Sequence, residues 1–302
     1  IMDLRNMDRI LEVDTEAGYA VIEAGTPSGK VQKVLKEYGY RPVFHGYPPG
    51  YPLLTNYTRH LLNHTFIARY LEPVLALEVV LGTGEVLRTG AAALNKPQWW
   101  GAYTGFMDLT WLFLRNYGTL GIVTKGSIRI EPIGERSSVP ILGFKTAVDA
   151  MKFGVWAAKM DLAQYVNMYH WRFWMMNGFA LRENKVPDYP PREWLEAHYN
   201  KPPDPIPATY FLVLETTGLK EDVDTRERLI IETAQREYGA IPIEWEGVKY
   251  KGEYKLKDIF PGHHYIAKGW WLEHYMPKGH EARFSMKMMG MVMGGRTTNL
   301  AR

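Results

Sequence analysis

Leu77-Glu-Val-Val-Leu-Gly-Thr-Gly-Glu-Val-Leu-Arg-Thr-Gly90, followed by Asp108-Leu-Thr-Trp-Leu-Phe-Leu-Arg-Asn-Tyr-Gly-Thr-Leu-Gly-Ile-Val-Thr-Lys125, decides how this chain folds. The first stretch reads as a strand pair: a mostly apolar run goes from Val74 to Leu81, Gly82-Thr83-Gly84 turns the chain, and Glu85 to Thr89 returns. In the second, Asp108 stands where a helix needs its N-cap, with Leu109, Leu112 and Phe113 behind it. A glycine-bearing step then leads into a strand over residues 121–130. That strand closes at Glu131-Pro132-Ile133-Gly134, since proline cannot donate to a ladder.

Working outward, two short runs, Arg9 to Asp14 and Tyr19 to Ala24, flank the turn Thr15-Glu-Ala-Gly18 and predict a hairpin. Thr26-Pro27-Ser28 opens a helix through Val31, Val34 and Leu35 that stops near Gly39. Residues 41–60 are rich in Pro, Gly and Tyr and read as a long loop, of the kind that is functional when it is not disordered. Downstream, Val139 to Phe144 reads as a strand, Ala147 to Met160 as an amphipathic helix and Tyr165 to Tyr169 as another strand. Pro187 to Pro207 holds seven prolines and is a long connection. A second strand–helix–strand unit follows: Thr209 to Glu215, Asp222 to Glu237 and Ile241 to Glu244. Two such units predict an α+β domain with an antiparallel sheet.

Composition narrows the functional classes. The 302 residues suit two ordinary domains, and 46% hydrophobic against 23% charged is a globular balance. A formal charge of +3 is too small to suggest a nucleic-acid binder on bulk electrostatics. The complete lack of cysteine excludes disulfides, cysteine-ligated metals, a thiol nucleophile and a cysteinyl link to a cofactor. No apolar run approaches the ~20 residues of a membrane span, and no signal peptide is visible, so a cytoplasmic location is expected. The 13% aromatic content, with 10 Trp and 19 Tyr, suits a protein that lines a cavity with rings, although large cores do the same.

Common site motifs are missing. There is no Gly-x-Gly-x-x-Gly turn, no phosphate loop of the Gly-Lys-Ser/Thr type and no Gly-x-Ser-x-Gly elbow. His60 and His64 share helical spacing, but Leu61-Leu62-Asn63 lies between them where a zincin carries glutamate, so no metal site is expected. His263 and His264 are adjacent and would point to opposite faces of a strand.

The two opening stretches, with Met7-Asp-Arg-Ile-Leu-Glu-Val-Asp14 and the 44–60 loop, resemble the FAD-binding oxidoreductases of the vanillyl-alcohol oxidase and p-cresol methylhydroxylase superfamily. Each motif alone fits many proteins; their order over residues 7–132 is what makes the resemblance specific. It implies a partial FAD-binding domain over residues 1–135, corresponding to the second subdomain of the p-cresol methylhydroxylase type. An α+β cap with an antiparallel sheet, which holds the substrate, then occupies residues 136–302. FAD is the implied cofactor and a small molecule the implied substrate. A partner chain or a second copy is expected to complete the FAD site, because the family's FAD domain starts ahead of Met7 and its cap continues past Arg302.

Site residues follow from the same resemblance. Thr55, Asn56, Thr58 and His60 fall where the family passes the cofactor, with Thr at 55 where members often carry Gly. Gly118, Gly121, Ile122 and Val123 match the segment alongside the adenosine half. In the cap, Tyr169, Arg172 and His264 are the candidate catalytic residues: an arginine can hold a carboxylate, and a tyrosine or histidine can take a hydroxyl proton as hydride leaves. The implied reaction is hydride transfer from a small, aromatic alcohol or phenol to flavin. Two alternatives stand beside it: a lactate- or glycolate-type 2-hydroxy-acid dehydrogenase, whose Ser-Glu-Gly-Thr-Leu-Gly resembles Asn116-Tyr-Gly-Thr-Leu-Gly121, and a non-catalytic subunit of a flavoprotein complex.

Overall fold

The computed structural model describes residues 2–43, 51–59, 72–94, 98–100, 107–172, 193 and 205–259. These fall into two units that divide between Ile133 and Gly134. In the first, β1 (Ile10–Asp14) and β2 (Tyr19–Glu23) form an antiparallel hairpin. Asp14 Oδ1 closes its turn by accepting the N–H groups of Glu16 and Ala17 at 3.0 and 2.8 Å. α1 (Ser28–Glu37) buries Val31 and Leu35, ends ahead of Gly39 and is followed by β3 (Tyr40–Pro42).

The stretch from Arg41 to His60 is not loop throughout. Leu53–Thr58 forms a short helix, α2, behind Pro52. One and a half turns would not persist alone in water. Leu53, Leu54 and Tyr57 are wholly buried, and the Tyr57 hydroxyl donates to the Val43 carbonyl, so tertiary burial fixes what propensity would not. Residues 44–50 and His60 lie outside the described residues.

β4 (Val74–Val80) and β5 (Val86–Arg88) make the second hairpin, as the opening stretch predicts. A 3-10 turn (Gly90–Ala93) and α3 (Thr110–Phe113) lead to the long strand β6 (Ile122–Pro132). The expected helix from Asp108 is a single turn: Asp108 Oδ1 does accept the Thr110 N–H at 2.9 Å, but Phe113 is buried and Leu112 is not. The sheet order is β1-β2-β6-β4-β5, with β3 added at the far end of β6, and every pairing is antiparallel. Gly126 makes the centre possible. A Cβ there would stand 2.8 Å from the Ala76 carbonyl oxygen and 2.7 Å from Leu77 Cδ2.

The second unit begins with β7 (Arg136–Ser138) and β8 (Ile141–Phe144), separated by Val139-Pro140, so the expected strand starts two residues late. α4 (Ala147–Lys159), β9 (Tyr165–His170), β10 (Tyr210–Gly218), α5 (Lys220–Tyr238) and β11 (Ile241–Glu244) follow. β12 (Tyr254–Lys255) and the single-turn α6 (Leu256–Ile259) complete the described part. The order β11-β8-β10-β9 is antiparallel throughout, with β7 extending along β10 and β12 parallel to β11. Thr146 caps α4 by accepting the Asp149 N–H at 3.1 Å, and Gly239, at φ +60°, ends α5.

α4 and α5 supply Phe153, Ala157, Ile230 and Ala234 to a core shared with Leu142, Phe144, Val166, Leu212 and Leu214. Each such aliphatic or aromatic side chain contributes about 1.5–3 kcal/mol when fully buried. Among the described residues, no helix is long and apolar enough to cross a membrane.

Candidate functional site

In the first unit, the residues singled out from sequence occupy two adjoining elements. Thr55, Asn56 and Thr58 all lie on α2, where the side chains bond locally. Thr55 Oγ1 donates to the Ala24 carbonyl at 2.9 Å, Asn56 Nδ2 to Pro52 at 3.0 Å and Thr58 Oγ1 to Thr55 at 3.0 Å. The Thr58 carbonyl in turn accepts the Arg115 N–H at 2.6 Å, which joins α2 to the turn between α3 and β6. That turn is backbone-rich. Gly118 takes φ +79° and gives its N–H to Asn116 Oδ1 at 2.8 Å. Gly121 is demanded by packing, because a Cβ would meet Val79 Cγ1 at 2.6 Å and the Val80 carbonyl oxygen at 2.9 Å. Ile122 and Val123 follow as the first residues of β6, half-buried opposite Val80 and Val79.

Charge distinguishes this region. Neither residues 51–59 nor residues 109–124 contain an Asp or Glu, while Arg59, Arg115 and Lys125 supply positive charge. Arg59 lies over the exposed Tyr117 ring at 5.8 Å. Glu78, on the neighbouring β4, is held by Lys125 Nζ at 3.1 Å and Arg88 Nε at 3.0 Å. Burial pushes its pKa up, but hydrogen bonds from Lys125 and Arg88 outweigh that and leave it below the ordinary value.

In the second unit, alternation along β9 and β10 sorts side chains onto two faces. Val166, Met168, Tyr210, Leu212 and Leu214 pack into the core with α4 and α5. Tyr165, Asn167 and Tyr169 of β9, and Phe211, Val213 and Glu215 of β10, take the opposite parity and are buried as well. In register, Tyr165 stands across from Glu215, Asn167 from Val213 and Tyr169 from Phe211. Burial raises the Tyr169 pKa well above the usual phenol range and keeps its hydroxyl protonated.

His170 is on the helix side, edge-on to Tyr210 with ring centroids 5.3 Å apart. Its Nδ1 accepts the Arg172 N–H at 3.2 Å. Burial first, and the Arg172 charge second, lower its pKa. Arg172 lies just past β9, its guanidinium over the Trp171 ring at 5.5 Å. Tyr169 and Arg172 are therefore placed at one end of β9, whereas His264 lies outside the described residues. Among the described residues, no three His, Asp or Glu side chains gather as a metal ion would need.

Comparison with known proteins gives these elements a context. Residues 1–51 match the FAD binding domain family. The mitochondrial D-lactate dehydrogenase [cytochrome] of Arabidopsis thaliana is 26% identical over 178 residues, covering 55% of this chain and 30% of that protein. The solved structure of p-cresol methylhydroxylase with substrate bound superposes at a TM-score of 0.66 and 18% identity, over 93% of this chain and 53% of that one. 4-Ethylphenol oxidase from Gulosibacter chungangensis, as its isoeugenol complex, gives 0.68 and 17%, over 94% and 54%. At these identities the structural likeness shows the fold. A mixed α/β chain of antiparallel sheets, with an acid-free backbone turn and an FAD-domain sequence signature, defines an FAD-binding flavoprotein fold. The chain shares its fold with p-cresol methylhydroxylase and 4-ethylphenol oxidase, and its first 51 residues carry the signature of an FAD binding domain. It spans less than a third of the curated relative and just over half of the two solved chains.

The residues fit such a group. An anionic dinucleotide calls for neutral small donors, accessible backbone amides and cationic flanks without carboxylates. The carboxylate-free 115–120 turn and the pair Arg59 and Arg115 supply the cationic part of that set, while the Thr55 and Thr58 hydroxyls already donate to the Ala24 and Thr55 carbonyls. Sequence reasoning missed the two arginines, which only the Thr58–Arg115 bond brings together.

Proposed function

We propose that this chain is part of an FAD-dependent oxidoreductase, with a share of its FAD-binding domain and a share of its substrate-holding cap, that removes a hydride from a small aromatic alcohol or phenol. The observation that carries the cofactor part is the carboxylate-free, arginine-flanked junction of α2 with the 115–121 turn. In this reading Thr55, Asn56, Thr58 and His60, with the main chain at Gly118, Gly121, Ile122 and Val123, hold FAD. Arg59 and Arg115 offset its diphosphate charge. Bound FAD supplies the hydride acceptor. A partner chain or a second copy contributes further residues to the FAD site.

Tyr169, Arg172 and His264 serve the substrate. With its pKa raised, Tyr169 acts as a hydrogen-bond donor to the substrate oxygen rather than as the base. The aromatic choice is supported by the phenol-oxidising proteins named among the structural relatives. The D-lactate dehydrogenase among the sequence relatives favours a second reading, a 2-hydroxy acid whose carboxylate Arg172 would hold.

The test is optical. The purified full-length protein should show the absorption bands of oxidised flavin and should bleach without oxygen on addition of 4-methylphenol. Bleaching by D-lactate alone would establish the second reading. A protein that stays colourless after adding FAD would overturn both.

A further inference from the structure

We propose that Glu78 and Thr124 are positioning residues for FAD: together they clamp a bulge in β6 that aims residues 121–123 and holds them in one frame with α2. The proposal deepens the cofactor reading above and rests on it for the identity of the ligand.

β4 and β6 pair in step through Leu77 with Gly126 and Glu78 with Lys125, and then fall out of step, because Val79 pairs with Val123 and Val80 with Ile122. Thr124 is therefore an extra residue on β6, a β-bulge. One extra residue shifts the alternation of side chains, so the residues beyond it face the other way from plain alternation. Those residues, Val123 and Ile122, lead straight to Gly121, the stretch placed beside the cofactor above. Little slack remains there, since a Cβ on Gly121 would meet Val79 Cγ1 at 2.6 Å.

A bulged residue has no partner of its own across the ladder, so other bonds must hold it. Thr124 is held from both sides. Its hydroxyl donates to the Glu78 carbonyl oxygen at 3.2 Å and to Glu78 Oε1 at 3.1 Å, one proton shared between two acceptors. Glu78 Oε2 is fixed in turn by Arg88 Nε at 3.0 Å and Lys125 Nζ at 3.1 Å, so both carboxylate oxygens are engaged. On the other edge, the Thr124 carbonyl accepts the Ala24 N–H at 2.9 Å. Ala24 passes the constraint on, because its own carbonyl accepts the Thr55 hydroxyl of α2 at 2.9 Å. With Thr58 bonded to Arg115 at the far end, α2 and the 115–124 stretch are tied at two places. Two ties fix distance and angle, where one would leave a hinge. A site assembled from two separate segments gains affinity when they are ordered before the ligand arrives.

The test measures FAD binding to the deflavinated full-length protein by quenching of flavin fluorescence, together with amide hydrogen exchange of the same FAD-free protein. Thr124→Val keeps the side-chain shape and removes the hydroxyl; Thr124→Ser keeps the hydroxyl and serves as the rescue. Thr83→Val, which breaks a similar bond to Glu85 on an exposed turn, is the control. We expect Thr124→Val to bind FAD about tenfold more weakly, as the loss of a hydrogen bond to a carboxylate implies. Thr124→Ser and Thr83→Val should stay within about twofold of the wild type. In Thr124→Val, exchange should quicken in residues 53–58 as well as in 121–125, while the rest of the sheet stays protected. Unchanged FAD affinity in Thr124→Val, a Thr124→Ser variant equally weak, or faster exchange confined to 121–125 would overturn the proposal. If Thr124→Val does not fold, Glu78→Ala is read the same way: weaker FAD binding with faster exchange in both segments supports the clamp, and no change overturns it. A wild type that takes up no FAD would overturn the cofactor reading and the positioning role with it. The exchange data would then report separately whether the clamp joins the two segments.

Discussion

The backbone N–H of Arg115 donates to the Thr58 carbonyl at 2.6 Å from a residue held at φ +61°. Tyr117, two positions on, sits at φ +54°. Left-handed backbone costs a residue with a side chain about 1–2 kcal/mol, so the turn carries strain where the candidate cofactor contacts are. Arg115→Gly should keep the bond, relieve the strain and leave the urea midpoint of the first unit equal or higher, while flavin retention falls with the lost charge. Arg115→Pro removes the donor and forces φ near −65°, and should cost about 3 kcal/mol or more. Equal midpoints for the two variants would show that the bond contributes nothing.

Glu227 organises the second unit in a comparable way. Its Oε2 accepts from Arg136 Nη2 at 2.5 Å and from the Ser138 hydroxyl, and its Oε1 accepts the Lys249 N–H at 2.8 Å. Without Glu227, Arg136 keeps Asp224 as an ion-pair partner but one guanidinium N–H, the Ser138 hydroxyl and the Lys249 N–H lose their acceptor, at a cost of about 1–3 kcal/mol. Glu227→Ala should therefore lower the unfolding free energy by that order. Glu227→Gln, which keeps an acceptor for Arg136, should lose less. Denaturant melts with the m-value checked for each variant decide it.

Gly126 offers a steric test. Alanine there should cost about 1–3 kcal/mol, because the new Cβ would press on the Ala76 carbonyl, which cannot move without breaking the β4–β6 ladder. Gly39, where nothing lies within 4 Å of a built Cβ, is the control. Its alanine variant should lose only the cost of φ +75°, about 1 kcal/mol.

Acid should destabilise the protein in two windows. The folded pKa of His170 is lowered, by burial and then by Arg172, so the unfolded chain binds the proton more readily. That contribution is complete above about pH 6.5, the value of an unperturbed histidine, and is lost as pH falls toward the folded pKa. Glu23 behaves likewise at lower pH. Hydrogen bonding from Arg9 holds its carboxyl below the ordinary range, and the stability it brings is lost as pH drops below about 4.3. His170→Gln should flatten the upper part of a plot of melting temperature against pH and leave the lower part intact.

The order of strands and helices was legible because periodicity and turn chemistry are local. The Asn116-to-Ile130 step and the Leu77-to-Gly90 hairpin each announce themselves within a few residues. α2 was not legible: its sequence is short, follows Pro52 and becomes helical only because Leu53, Leu54 and Tyr57 find a core. At Asp108 the capping signal was read correctly, but nothing in the following residues tells that the helix stops after Phe113. The candidate site divides similarly. Motif order located Gly118 and Gly121, whereas the reason for Gly121, the closeness of Val79 and Val80, is a long-range fact.

The strand order of the second unit has a consequence for its birth on the ribosome. β8 has no neighbour among the strands made before it or immediately after: Ile141 pairs with Val213 of β10 and with Ile243 of β11. The nascent chain must therefore carry the apolar β8 and α4 unprotected until roughly seventy further residues have emerged. Closing so long a loop is entropically costly and slow, and makes this half of the chain the one most in need of a chaperone during synthesis.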